Sequence, residues 1–147
     1  MLELHTEIEI EAPAARVWQV LTEFGAYPSW NPFLPRIDGV AKAGEKIEVT
    51  FHPPGGKAMT MKPTVLTADE GRRLSWLGRL GGVPKLFDGE HAFEIVELGE
   101  NRVRFVQSEK FGGVLVPFLR KMLETKTRAG FEAMNRALKD RAESSVA

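Results

Sequence analysis

"IEAPAARVWQVLTEFGAYPSWNPF", residues 10–33, decides how the rest of the chain is read. Pro13 suits the first turn of a helix, Val17, Trp18, Leu21 and Phe24 recur at helical spacing, and Gly25 stops the run. A short amphipathic helix is expected there. The connector that follows, "YPSWNPFLPRI" at 27–37, sets Tyr27, Trp30 and Phe33 among Pro28, Pro32 and Pro35. Asn31 is read as the cap of a second short turn, ahead of Pro32. So rigid and apolar a connector either plugs a core or lines a cavity.

On both sides of this block the chain alternates. Leu2, Leu4, Ile8 and Ile10 interleave with Glu3, Glu7 and Glu9, the period-two pattern of a strand with one wet face, with Thr6 on the inner face and His5 outside. Ile47, Val49 and Phe51 alternate up to the turn PPGG at 53–56. Met59, Met61 and Val65 read as the return strand, and Leu74 with Trp76 as the next. The stretch 78–89 is loop-like, Phe87 to Leu98 forms a further strand, and a turn at 99–101 leads into Val103, Phe105 and on to Phe111. Leu119, Met122, Leu123, Phe131, Met134 and Leu138 mark one long amphipathic helix to about residue 140, with Gly130 its weak point. The expected fold class is α+β, in the order β-α-short helices-six strands-α. The long helix lies across the concave side of a curved antiparallel sheet and leaves a cavity between them.

With 147 residues, 43% of them hydrophobic, the chain is expected to form a single domain with its core at about 2–140. Twenty basic and twenty acidic side chains cancel, so no overall field favours nucleic acid. The chain has no cysteine, which excludes disulfides and thiolate chemistry. The start lacks the pattern of a signal peptide, and no apolar run approaches the ~20 residues that span a bilayer. A cytoplasmic protein without stable membrane insertion is expected, either monomer or homodimer. No histidine pair has metal-ligand spacing, and there is no P-loop, GxSxG or helix-opening GxGxxG, so neither metal nor cofactor is expected.

The block at 10–33, followed by "RRLSW", an "HAFEI" strand and a long C-terminal helix, resembles the SRPBCC or START-like helix-grip superfamily, and within it the polyketide cyclase/dehydrase branch. The resemblance runs roughly from Glu7 to Leu138. It implies a deep apolar cavity of the kind that takes lipids, sterols, hormones or polyketides, in a superfamily of carriers, sensors, cochaperones and some enzymes.

Parity locates the chemistry. On the strand 87–98, His91 falls on the apolar face with Phe87, Phe93 and Ile95; on its partner, Gln107 and Glu109 fall with Val103, Phe105 and Phe111. A turn of 98–100 pairs His91 with Gln107, and one of 99–101 pairs it with Glu109. A carboxylate facing inward needs a partner, and His91 is the natural one. The expected cavity walls are Trp30, Phe33, Phe51, Met61, Trp76, Phe93, Phe105 and Met122, with Phe118 at the mouth beside a possible Gly112-Gly113 hinge. His91, Gln107 and Glu109 would read a ligand's polar end. The expected function is binding of a small hydrophobic molecule, such as a lipid, a polyketide or another aromatic metabolite. Two alternatives stand beside it: a cyclase- or dehydratase-like enzyme using His91 and Glu109 as an acid/base pair, and a cochaperone-like partner-binding domain. The excess of basic residues at 120–141 reads as a solvated helix face or as a surface that touches anionic membranes.

Overall fold

The computed structural model describes residues 2–144. Strand β1 (Leu2–Ile10) leads into helix α1 (Ala14–Thr22) and a 3-10 helix at Phe24–Ser29. Seven strands follow: β2 (Arg36–Asp38), β3 (Glu48–Phe51), β4 (Met59–Met61), β5 (Thr64–Asp69), β6 (Arg73–Arg79), β7 (Asp88–Gly99) and β8 (Arg102–Gly112). The chain ends in α2 (Val116–Met122), a π-helical turn at Leu123–Thr127 and α3 (Arg128–Glu143), which run on without a break.

One strand more than expected follows the first helices, and the sheet is divided. A five-stranded antiparallel sheet runs β1-β8-β7-β6-β5, and a three-stranded one runs β2-β3-β4. The connector's end, Arg36–Asp38, supplies the extra strand by pairing with β3. The expected return strand through Met59, Met61 and Val65 breaks in two at Lys62-Pro63. Proline has no N–H to give a ladder, so β4 pairs back on β3 while β5 starts afresh against β6. The sheets stay joined at this corner by Ile47 N–H to the Pro63 carbonyl (3.0 Å) and Val65 N–H to the Glu45 carbonyl (2.8 Å).

Helix α3 lies on β1 and β8 and against α1. Its buried stripe of Phe131, Met134 and Leu138 meets Leu4, Ile10, Phe93 and Phe105 from the sheet and Val17 and Leu21 from α1. Gly130 is the notch in this helix. A Cβ there would lie 2.3 Å from the Phe33 ring, so only glycine lets the connector's phenyl seat on the helix beside Phe131, ring centroids 5.5 Å apart.

The connector therefore does both jobs between which its sequence left a choice. Tyr27 is fully buried, donates its hydroxyl to the Leu21 carbonyl at 2.5 Å and packs edge-on to Phe24 and Trp30, sealing the core at the end of α1. Burial pushes its phenol far above the usual ionisation range. Asn31 caps the short turn as expected: its Oδ1 accepts from Phe33 N–H (3.1 Å) and Leu34 N–H (2.8 Å). That turn sends Phe33 and Leu34 inward toward the space under the long helix.

Candidate functional site

The register of the large sheet lays three rows of side chains across its concave face. Leu74, Phe93, Gln107 and Thr6 form one row; Trp76, His91, Glu109 and Leu4 the next; Gly78, Gly89, Phe111 and Leu2 the third. His91 thus pairs with Glu109, the outcome expected of a turn at 99–101. The turn itself is shorter: Glu97 opposes Val103 and Gly99 opposes Arg102, with a bulge at Leu98 absorbing the difference.

The third row has almost no side chain on β6 and β7, and there the interior is hollow. A cavity of about 270 Å³ lies over Gly78 and Gly89, between the small sheet and the segment of long helix formed by α2 and the π turn. A Cβ on Gly78 would meet the Met61 methyl at 3.0 Å, and one on Gly89 would strike Glu109 Oε2 at 2.2 Å. Gly89 is thus the space that the Glu109 carboxylate occupies.

Seven of the expected site residues surround this cavity: Phe33, Phe51, Met61, Trp76, His91, Glu109 and Met122. Five do not. Phe93 and Phe105 are fully buried and stack on each other deeper in the core (centroids 5.9 Å), because they belong to rows that α3 covers completely. Gln107 is also fully buried, one row behind the cavity. Trp30 packs on Tyr27, away from the cavity. Phe118 is 83% exposed, since the inward stripe of this helix runs through Val116, Leu119, Leu123 and Thr127. Gly113 holds φ +112° hard against the Lys85–Leu86 backbone, where a Cβ would lie 2.5 Å from the Leu86 carbonyl oxygen, and Val114 and Leu115 bond to the same loop. This close packing is what the glycine serves.

His5 and His52 are exposed, bonded to Glu7 and to the Gly56 carbonyl. His91 is the buried one, enclosed by the rings of Trp76, Phe93 and Phe131 at centroid distances of 5.3, 4.6 and 4.9 Å. Its Nδ1 lies 3.0 Å from Glu109 Oε1 and its Nε2 lies 2.9 Å from Gln107 Oε1. The Glu109 side chain is 16% exposed against 5% for His91, so the carboxylate is the pair's face toward the cavity.

The polar chain continues behind His91. Gln107 Nε2 donates to the Phe131 carbonyl (3.3 Å) and to Asn135 Oδ1 (2.7 Å), Asn135 Nδ2 donates to Thr6 Oγ1 (2.9 Å), and the Thr6 hydroxyl donates to the Gln107 carbonyl (2.8 Å). A backbone carbonyl only accepts, so the Gln107 amide turns its NH2 toward the helix and its oxygen toward His91. The Nε2 of His91 must then carry a hydrogen. Amides cannot readily relay a proton, so this chain orients the imidazole and does not conduct. Asn135 and Thr127 escaped the sequence reading; the available signal for Asn135 was an amide on the same stripe as Phe131, Leu138 and Ala142.

Among the described residues no lysine or arginine lines the cavity, and no helix is long and apolar enough to cross a membrane.

The fold has many counterparts. An aromatase/cyclase, Zhui, from Streptomyces sp. R1128 superimposes with a TM-score of 0.78 at 17% identity, covering 97% of this chain and 93% of that one. A START superfamily protein from Mycobacterium smegmatis matches with a TM-score of 0.74 at 20% identity, covering 96% and 97%. Norcoclaurine synthase from Thalictrum flavum, in complex with dopamine and hydroxybenzaldehyde, matches with a TM-score of 0.73 at 18% identity, covering 99% and 89%. Identities this low establish a shared fold, the START-like helix grip. No curated protein matches the sequence. The family described as polyketide cyclase / dehydrase and lipid transport matches residues 1–143, nearly the whole chain, and the protein therefore belongs to it.

Proposed function

We propose that the domain binds a small, predominantly apolar molecule in the cavity beneath α2 and the π turn, with the ligand's polar end at Glu109. One observation carries this reading: aromatic and methionine side chains wall a space of about 270 Å³ into which one ionisable pair, His91–Glu109, projects. Transfer of a ligand from water into such walls contributes roughly 25 cal/mol per Å² of apolar surface buried. The volume falls just below the roughly 300–1,000 Å³ usual for small-molecule sites, which points to a compact ligand of one or two rings or a short chain. Native mass spectrometry of the purified protein, followed by denaturing extraction, tests it. A co-purifying apolar molecule of that size supports binding. A protein that arrives empty and takes up no apolar probe opposes it.

A second reading, cyclase- or dehydratase-like catalysis, is favoured by the shared hydrogen bond between His91 Nδ1 and Glu109 Oε1, which makes the pair a candidate acid/base at an apolar wall. Against it stands the absence of a cavity-lining cation, among the described residues, to stabilise an enolate. His91→Ala separates the two: a carrier loses affinity, whereas an enzyme loses turnover with affinity largely kept.

A further inference from the structure

The hydrogen-bond pattern around His91 fixes the polarity of ligand that the cavity takes. With Nε2–H committed to Gln107, only Nδ1 remains to face Glu109 Oε1, 3.0 Å away. If neither atom carried the hydrogen, two lone pairs would confront each other in a water-poor interior, which is costly. One proton therefore lies between them. It sits either on nitrogen, giving an imidazolium and a carboxylate, or on Oε1, giving a neutral imidazole and a carboxylic acid. In both arrangements the pair has no net charge, and in both the second oxygen, Oε2, has only lone pairs to offer.

Oε2 is the atom set against Gly89 at the cavity, with no hydrogen-bond donor among the described residues. Two further polar side chains stand on the wall: Thr127 carries a hydroxyl that both donates and accepts and so does not choose, and Trp76 carries an indole N–H, a donor away from Oε2, so the selection argued here is that of the Glu109 corner. We infer that the site selects neutral ligands that present a hydrogen-bond donor, a phenolic or alcoholic O–H or a neutral N–H, and discriminates against the carboxylate and ammonium analogues of the same skeleton. A carboxylate would set acceptor against acceptor beside Oε2, and an ammonium would bring an unbalanced charge into an apolar space beside a pair that is already neutral. Gly89 is the specificity-determining position, because any side chain there displaces Oε2.

This inference rests on the binding reading, and one titration series tests both separately. The probes are naphthalene, 2-naphthol, 2-naphthoate and 2-naphthylmethylammonium, measured by calorimetry at neutral pH against the full chain. The expected order places 2-naphthol about tenfold tighter than naphthalene, the increment of one good hydrogen bond to a polar acceptor, with both ions weaker than naphthalene. Glu109→Gln keeps an oxygen at the same place and should keep the naphthol preference, while Glu109→Leu and Gly89→Ala should bring naphthol down to the level of naphthalene. If no probe binds, the cavity reading falls and this inference with it. If naphthalene binds but naphthoate matches or exceeds naphthol, the cavity reading stands and this inference is overturned, because Oε2 then does not set the polarity of the site. Loss of preference in Glu109→Gln alongside Glu109→Leu would likewise overturn the assignment of Oε2 as an acceptor.

Discussion

Where α3 crosses β1 and β8, the gap between helix and sheet is filled by Phe93, Phe105, Phe131, Met134 and Leu138, all fully buried; where α2 and the π turn pass over β6 and β7, the same layers part around Gly78 and Gly89 and leave a cavity. Topology is the same at both ends, since one sheet and one continuous helix run through them. The difference lies in residue size on the sheet and in the winding of the helix. Two facing glycines remove the floor, and the π turn at Leu123–Thr127, a form of helix concentrated at functional sites, sets Leu123 and Thr127 on the wall. A helix grip is thus a closed core or a container according to a handful of side chains.

The sharpest way to break the comparison is at its filled end. Phe131→Ala should destabilise the fold by about 3–5 kcal/mol, read by chemical denaturation, because nothing nearby can collapse into the hole it leaves. Gln107→Leu should cost about 2–3 kcal/mol. It strands His91 Nε2–H and Asn135 Oδ1 without partners, and Asn135→Leu added to it should recover part of that loss, since the two sites are coupled. At the hollow end the effect falls on binding and hardly on stability. A Cβ at Gly78 meets the flexible methyl of Met61 at 3.0 Å and Pro63 only in ordinary contact at 3.7 Å, so in Gly78→Val stability should change by less than ~1 kcal/mol while affinity for an apolar probe falls at least tenfold. The smallest effect belongs to the end of α3, where Glu143 accepts from Lys139 and from the Glu11 backbone N–H, contacts that hold its carboxyl below the usual range. A depressed folded value means stability that is present above the unfolded carboxyl range, near pH 4.3, and lost as pH falls through the folded one. Glu143→Gln should therefore remove a few tenths of a kcal/mol at neutral pH and nothing at pH 2, measured by thermal unfolding at both.

Alternation in β1, β7 and β8 made the inner faces legible, and with them the meeting of His91, Gln107 and Glu109. It left the pairing of His91 open, because the bulge at Leu98 depends on local backbone geometry that residue types do not specify. Parity also gives a face without giving a depth. Phe93 and Phe105 share the concave side with Trp76 and His91, yet the first two lie under α3 and the last two reach the cavity. Phe118 shows the same limit for a helix: its apolar ring drew it to the expected cavity mouth, while its position beside Leu119 turns it outward. Pro63 lay unremarked inside the single return strand expected through Met59, Met61 and Val65, and the pairing of β4 with β3 shows that it separates two sheets.

The seat of Phe33 on Gly130 has a mechanical side. A helix held only by apolar packing can settle at neighbouring positions along its axis, since one residue of slippage moves it by just ~1.5 Å. Here the phenyl drops into a gap that Ala129 on one side and Phe131 on the other do not offer. The ring works as a detent, indexing the long helix against the connector to the nearest residue and so fixing which side chains stand over the two glycines of the floor.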